Sequence, residues 1–197
     1  MKRTILLFIL LFLSIPGIVR AQTAVTKARV DYDAFENLVK EVKEHREKRL
    51  VPLDEFLKLS SDSGVLVLDT RSDEMYNRKH IKGAVHLNFS DFTQANLARL
   101  IPSFKTKVLI YCNNNFEGDQ RNFATKTVVP AAALKKVKPI TLALNIPTYI
   151  NLYGYGYRNV FELSELVHID DPRLQLEGTG VGGPGPSPAG VTLMSKR

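Results

Sequence analysis

The sequence predicts an α/β domain with a central, mostly parallel five-stranded sheet flanked by helices in three layers. Three observations carry that prediction. Residues 65–68 (VLVL) and 107–112 (KVLIYC) are short apolar runs rich in branched side chains and bounded by turn signals, as strands buried on both faces are. Segments of helical periodicity alternate with such runs, the order that builds parallel sheets. Asp69, Arg71 and Cys112 fall directly after the carboxyl ends of two of these strands, where open α/β sheets gather their ligands.

The elements follow in order. Residues 1–21 have the form of a secretory signal peptide: Lys2 and Arg3 precede an apolar run over 5–15, then come Pro16, Gly17 and the small-residue site Val19-Arg20-Ala21. The run is shorter than the roughly 20 residues a spanning helix needs. The expectation is therefore export to the periplasm or beyond, with cleavage before Gln22 and no stable membrane insertion afterwards. Residues 22–49 read as a leader followed by an amphipathic helix, with Phe35, Leu38, Val39 and Val42 at helical spacing. A single domain is expected over 50–170. Its strands fall near 50–51, 65–68, 84–87, 107–112 and 159–163. Helices are expected after Pro52, within 73–79, across 91–101 and near Ile146, where Pro147 either marks the first turn or kinks the helix. Residues 171–197 are rich in Gly and Pro without period and read as a disordered tail.

Composition narrows the function. A chain with 44% hydrophobic and 24% charged residues has the balance of a soluble globular protein. No Trp and one Cys exclude a disulfide scaffold or a cysteine-rich metal site, and no metal or organic cofactor is expected. Loss of Lys2, Arg3 and Arg20 on cleavage lowers the formal charge from +7 to +4. The surplus is scattered over short lysine clusters at 105–107 and 135–138, unlike the dense basic face of a nucleic-acid-binding protein.

The sole cysteine, Cys112, ends an apolar strand and opens the polar stretch NNNFEGDQR. A thiol there is either a working nucleophile or a small buried side chain at a strand end. Asn113, Asn114 and Asn115 form a cluster that reads equally as an anion-cradling nest and as a plain turn. Asp69 and Arg71 read as a polar pair fixing a strand end.

The stretch VLVLDTRSDEMYNRKHIKGAVHLNFSDF resembles the rhodanese homology domain. Its landmarks here are Asp69, Arg71, Glu74, Tyr76, His80, Ile81, Gly83 and Ala84, followed by VLIYC at the active-site cysteine and LYGYGYRNVFEL at the last strand. The similarity covers about residues 51–168. It implies a rhodanese-like fold and sulfur-transfer chemistry. In that chemistry the Cys112 thiolate takes sulfane sulfur from a small donor such as thiosulfate, becomes a persulfide, and hands the sulfur to a thiol acceptor. Asn113, Asn114, Asn115 and Arg121 would contact substrate, with Asp69, Arg71 and His80 supporting the site. The chain departs from the family at the loop. Eight residues separate Cys112 from Arg121, and Glu117 stands where a basic residue is usual. An insert over 122–140 precedes the next helix and could displace its dipole from the sulfur. These departures leave open a catalytically weak binding module that meets a protein partner through the insert or the tail, and a cysteine phosphatase.

Overall fold

The computed structural model describes residues 26–128 and 140–181. The readings of 1–21 as a signal peptide, of 182–197 as a disordered tail and of the central part of the insert lie outside the described residues.

The chain begins with α1 (Tyr32–Glu47), β1 (Leu50–Val51), α2 (Leu53–Ser60) and β2 (Val65–Asp69). After α3 (Asp73–Arg78) come β3 (His80–Ile81), β4 (Val85–His86), α4 (Gln94–Leu100) and β5 (Lys107–Tyr111). Three short strands follow, β6 (Phe116–Glu117) and the antiparallel pair β7 (Thr127–Val128) and β8 (Ile140–Thr141). The chain closes with α5 (Asn145–Gly154), β9 (Val160–Leu163), β10 (Val167–His168) and β11 (Leu176–Glu177).

Five strands make one sheet in the order β1-β9-β5-β2-β4, every neighbouring pair parallel. Alternation along the strands explains the unbroken apolar runs. Val67, Leu109 and Tyr111 join one core with Phe56 of α2, whereas Leu68, Val108 and Ile110 join the other with Val42 of α1, Leu97 of α4 and Tyr149 of α5. Both faces are covered, so neither phase of the alternation can be polar. In α1 the expected apolar stripe packs through Leu38, Val39 and Val42, while Phe35 stays half exposed. Gly83 holds the expected turn before β4 with φ +78°, a conformation that favours glycine.

The expectation that the chain leaves the fold at residue 171 fails for 172–181. Leu176 and Glu177 pair antiparallel with Ile81 and His80, and Leu174 and Leu176 pack against the core. The Glu177 carboxylate accepts the Gly83 N–H at 2.9 Å. Glycine composition, which suggested disorder, here allows close approach. At Gly178 (φ +127°) a side chain would meet the Arg78 carbonyl oxygen at 2.6 Å.

Candidate active site

Strand β5 lies at the centre of the sheet, and parallel pairing sets Tyr111 level with Asp69 of β2. Cys112 therefore emerges one residue beyond the Asp69 carboxylate, at the carboxyl edge. Around that carboxylate the polar groups are fully matched. Arg71 donates from Nε and Nη2 to both Asp69 oxygens at 2.7–3.1 Å. Its remaining donors reach the carbonyls of Asn122 (2.9 Å) and Lys79 (2.6 Å). The Tyr111 hydroxyl donates to Asp69 at 2.6 Å and accepts the Ile81 N–H at 3.1 Å. Asp69 and Arg71 are 0% and 2% exposed, a depth at which charges persist only when paired. Burial and the Asp69 charge push the Tyr111 phenol well above its ordinary range, so it stays a donor.

Cys112 opens a 3₁₀ turn, Asn113–Asn115. The Cys112 N–H donates to Asn115 Oδ1 at 2.9 Å, and the Asn115 N–H returns to the Cys112 carbonyl at 3.0 Å. The sulfur accepts the Leu144 N–H at 3.2 Å. Leu144 is the residue that caps α5, and Pro147 sits in the first turn, where its missing N–H is harmless. The expectation that the insert would displace this helix from the thiol is therefore corrected. The described ends of the insert pair as β7–β8, and the amino end of α5 meets Sγ through the Leu144 N–H.

The thiol itself is 1% exposed. Burial pushes it above its ordinary pKa. The backbone N–H groups of Leu144 and Asn113 pull it down, the Asp69 charge pushes it up and Arg71 pulls it down, and the net shift is upward. Cys112 thus rests as a protonated thiol with amides already aimed at it.

The model of the rhodanese-like domain matches residues 52–164, more than half of the chain. The chain belongs to the rhodanese-like domain family. Among solved structures, the BH2092 protein of Bacillus halodurans is similar at 18% identity, over 75% of this chain and 86% of that one, with a TM-score of 0.41. No curated protein matches the chain.

Within this rhodanese-like domain the other sequence-expected residues separate. The Asn115 amide donates to the carbonyls of Leu163 and Glu165 at 2.7 and 3.2 Å and accepts from Asn145 at 2.8 Å, stitching β5, β9 and α5 together. Asn114 donates to the hydroxyls of Thr127 and Thr141 and accepts the Lys126 N–H, which fastens β7–β8 to the cysteine turn. The side-chain donors of both residues are therefore occupied inside the fold rather than free for an anion. Asn113 is buried with Oδ1 unpartnered. Arg121 is exposed and makes no hydrogen bond or ion pair among the described residues, so it does not close over the buried sulfur. Arg71, through the Asn122 carbonyl, holds the end of the loop instead. His80 contacts the Tyr76 carbonyl at 2.6 Å and Glu177 at 3.2 Å, which occupies both ring nitrogens away from Cys112. Tyr111, Leu144 and Asn145 escaped the sequence reading. Asn145, a short polar residue just ahead of an apolar helical run, carried the one recognisable signal, that of a helix start.

The loop is long because it is pinned twice. Phe116 and Glu117 form β6 and pair parallel with Val167 and His168. Asp119 then binds Lys79 at 2.7 Å and Asn122 at 2.6 Å. Gly118 takes a backbone conformation (φ +91°) that favours glycine, and a Cβ there would push aside the exposed His168 ring, which it would meet at 2.8 Å.

Proposed function

We propose that this domain transfers sulfane sulfur through a persulfide on Cys112, and that it acts after export, with residues 1–21 as its signal peptide. The observation that supports the reading is the Leu144 N–H, at the amino end of α5, aimed at Sγ. An amide and a helix terminus stabilise negative charge on sulfur without a titratable partner. The thiol loses its proton and attacks the outer sulfur of a small donor. The donor S–S bond breaks, and its remainder leaves as sulfite (from thiosulfate) or a thiol (from a persulfide). An acceptor thiolate then takes the outer sulfur and frees the Cys112 thiolate. The reacting groups are sulfur atoms and a proton, and Asp69, Arg71 and Tyr111 hold the strand end from which Cys112 projects. With the thiol 1% exposed, turnover includes an opening of the turn or of β7–β8. A protein acceptor would meet the outer face of that pair.

The burial of Cys112 and its upward-shifted pKa favour a second reading, a rhodanese-like binding module with an inert thiol. Intact mass after incubation with thiosulfate, and separately with an alkyl persulfide, distinguishes the two. Sulfur transfer adds one sulfur atom that a reductant removes and that Cys112→Ser lacks. No adduct with either donor leaves the binding module.

A further inference from the structure

Beside the cysteine turn lies an open cleft of about 240 Å³. Its polar wall is formed by the amides of Asn114, Asn115 and Asn145. The charged groups lining it are Arg46 and Glu162, and they cancel. The Arg46 guanidinium binds the nearly buried Glu162 carboxylate through two bonds of 2.6 and 2.5 Å. Lys126 meets this region through its backbone N–H, and its side chain is exposed.

Residues of the cleft wall also hold the groups around the sulfur. Asn115, on the cleft wall, bonds the Cys112 N–H. Asn145, also on the wall, follows Leu144, whose N–H meets Sγ. The two walls are joined by a side-chain hydrogen bond, Asn145 Nδ2 to Asn115 Oδ1 at 2.8 Å.

Resting on the sulfur-transfer reading above, we propose that this cleft is the donor site and that it selects donors able to enter uncharged, a persulfide rather than thiosulfate. The physical ground is desolvation. An anion entering this cleft gives up hydration and meets no cation that is not already paired, since Arg46 is held by Glu162. One proton neutralises a persulfide, whereas thiosulfate keeps its two charges near neutral pH. The transfer balances without an oxidant. The bond between Cys112 Sγ and the outer sulfur of R–S–SH forms as the donor S–S bond breaks, and the thiol proton of Cys112 leaves with R–SH.

The test uses the mature chain and two alkylating agents of similar size, neutral iodoacetamide and anionic iodoacetate, with rates followed by intact mass. Relative to a cysteine in a short unstructured peptide, Cys112 should favour iodoacetamide by a further tenfold or so. Ile146 borders the cleft and is 38% exposed, so Ile146→Trp should fill the cleft without unfolding the domain and slow alkylation by about tenfold. Val128→Trp, at an exposed position on β7, should not slow it. Sulfur loading should follow the same order, alkyl persulfide ahead of thiosulfate. Equal rates for the two alkylating agents, or equal effects of the two Trp variants, would overturn the proposal. Equal loading from both donors overturns the charge selection and leaves sulfur transfer standing. Loading from neither removes sulfur transfer and the donor site together.

Discussion

Two corners at the carboxyl edge of the same sheet, one residue apart in register, use polar groups in opposite ways. At Asp69 charge is fully matched: Arg71 and Tyr111 satisfy both carboxylate oxygens, and the spare donors of Arg71 hold the backbone of Asn122 and Lys79. At Cys112 no charge is bonded to the reactive atom. Its contacts are amides, and the neighbouring Asn113 carries a buried oxygen without a partner. The contrast teaches that the ionic residues of this edge are structural. They fix where β5 ends, and the group bonded to the thiol at that end is a backbone dipole.

The sharpest way to break the comparison is to unpair the ionic corner. Arg71→Met leaves the Asp69 carboxylate buried with the Tyr111 hydroxyl and the backbone N–H of residue 71 but no counter-charge, and should cost about 3–5 kcal/mol in urea unfolding, the range for a broken buried ion pair. Adding Asp69→Leu should recover part of that loss, because the orphaned charge is then gone. A loss below about 1 kcal/mol for Arg71→Met would mean that the corner is not what holds the strand end.

At the dipolar corner Asn115→Ala removes a side chain that joins three elements and leaves the Cys112 N–H and the Leu163 carbonyl without that partner. The expected cost is about 2–3 kcal/mol, the loss of buried hydrogen bonds without replacement. The same variant should speed alkylation of Cys112, since it also removes the seam with Asn145. A stability loss with unchanged alkylation would separate the turn from the access route.

Proton linkage sharpens the contrast further. The Cys112 pKa is raised in the fold, mainly by burial. Below the thiol range both folded and unfolded chains hold the proton, and the site adds no pH dependence. As pH rises past the unfolded value, the unfolded chain ionises first, so stability falls until the folded value is passed. Wild type should therefore lose stability in that alkaline window relative to Cys112→Ser. Its alkylation rate should keep climbing with pH beyond the point where a peptide cysteine levels off. A plateau at the peptide value would show that the amides offset burial completely.

The two corners also differ in how much of them the sequence disclosed. The sheet was legible because strands covered on both faces must be continuously apolar, and residues 65–68 and 108–111 are. Asp69 with Arg71 was legible as a local pair two residues apart. The partners of the cysteine turn come from far along the chain: Leu144, whose N–H meets the sulfur, lies beyond the insert, and Asn145 and Leu163, which bond Asn115, lie further still. A backbone N–H has no signature in sequence, so the donor aimed at the sulfur could be found only in three dimensions. Three asparagines in a row suggested one shared role, yet alternation in the tight turn sends Asn114 to β7–β8 and Asn115 to β9. The strand at Leu176–Glu177 was hidden by its neighbours, because a two-residue β pair among glycines leaves no periodicity to read.

The smallest expected effect tests whether β7–β8 guards the thiol. Asn114 binds Thr127 and Thr141, residues directly opposite in the register, and so ties that pair to the cysteine turn. The next pair along, Val128 and Ile140, lies exposed on the other side. Asn114→Ala removes these bonds at a partly exposed position, where water replaces them, so the stability cost should be only about 0.5–1.5 kcal/mol. Alkylation of Cys112 should nevertheless quicken severalfold, because the bonds that tie the pair to the cysteine turn are gone. If Thr127→Val and Thr141→Val together reproduce that gain while unfolding stays unchanged, the pair covers the sulfur through Asn114. If alkylation is unmoved by either change, access runs through the Asn115–Asn145 seam alone.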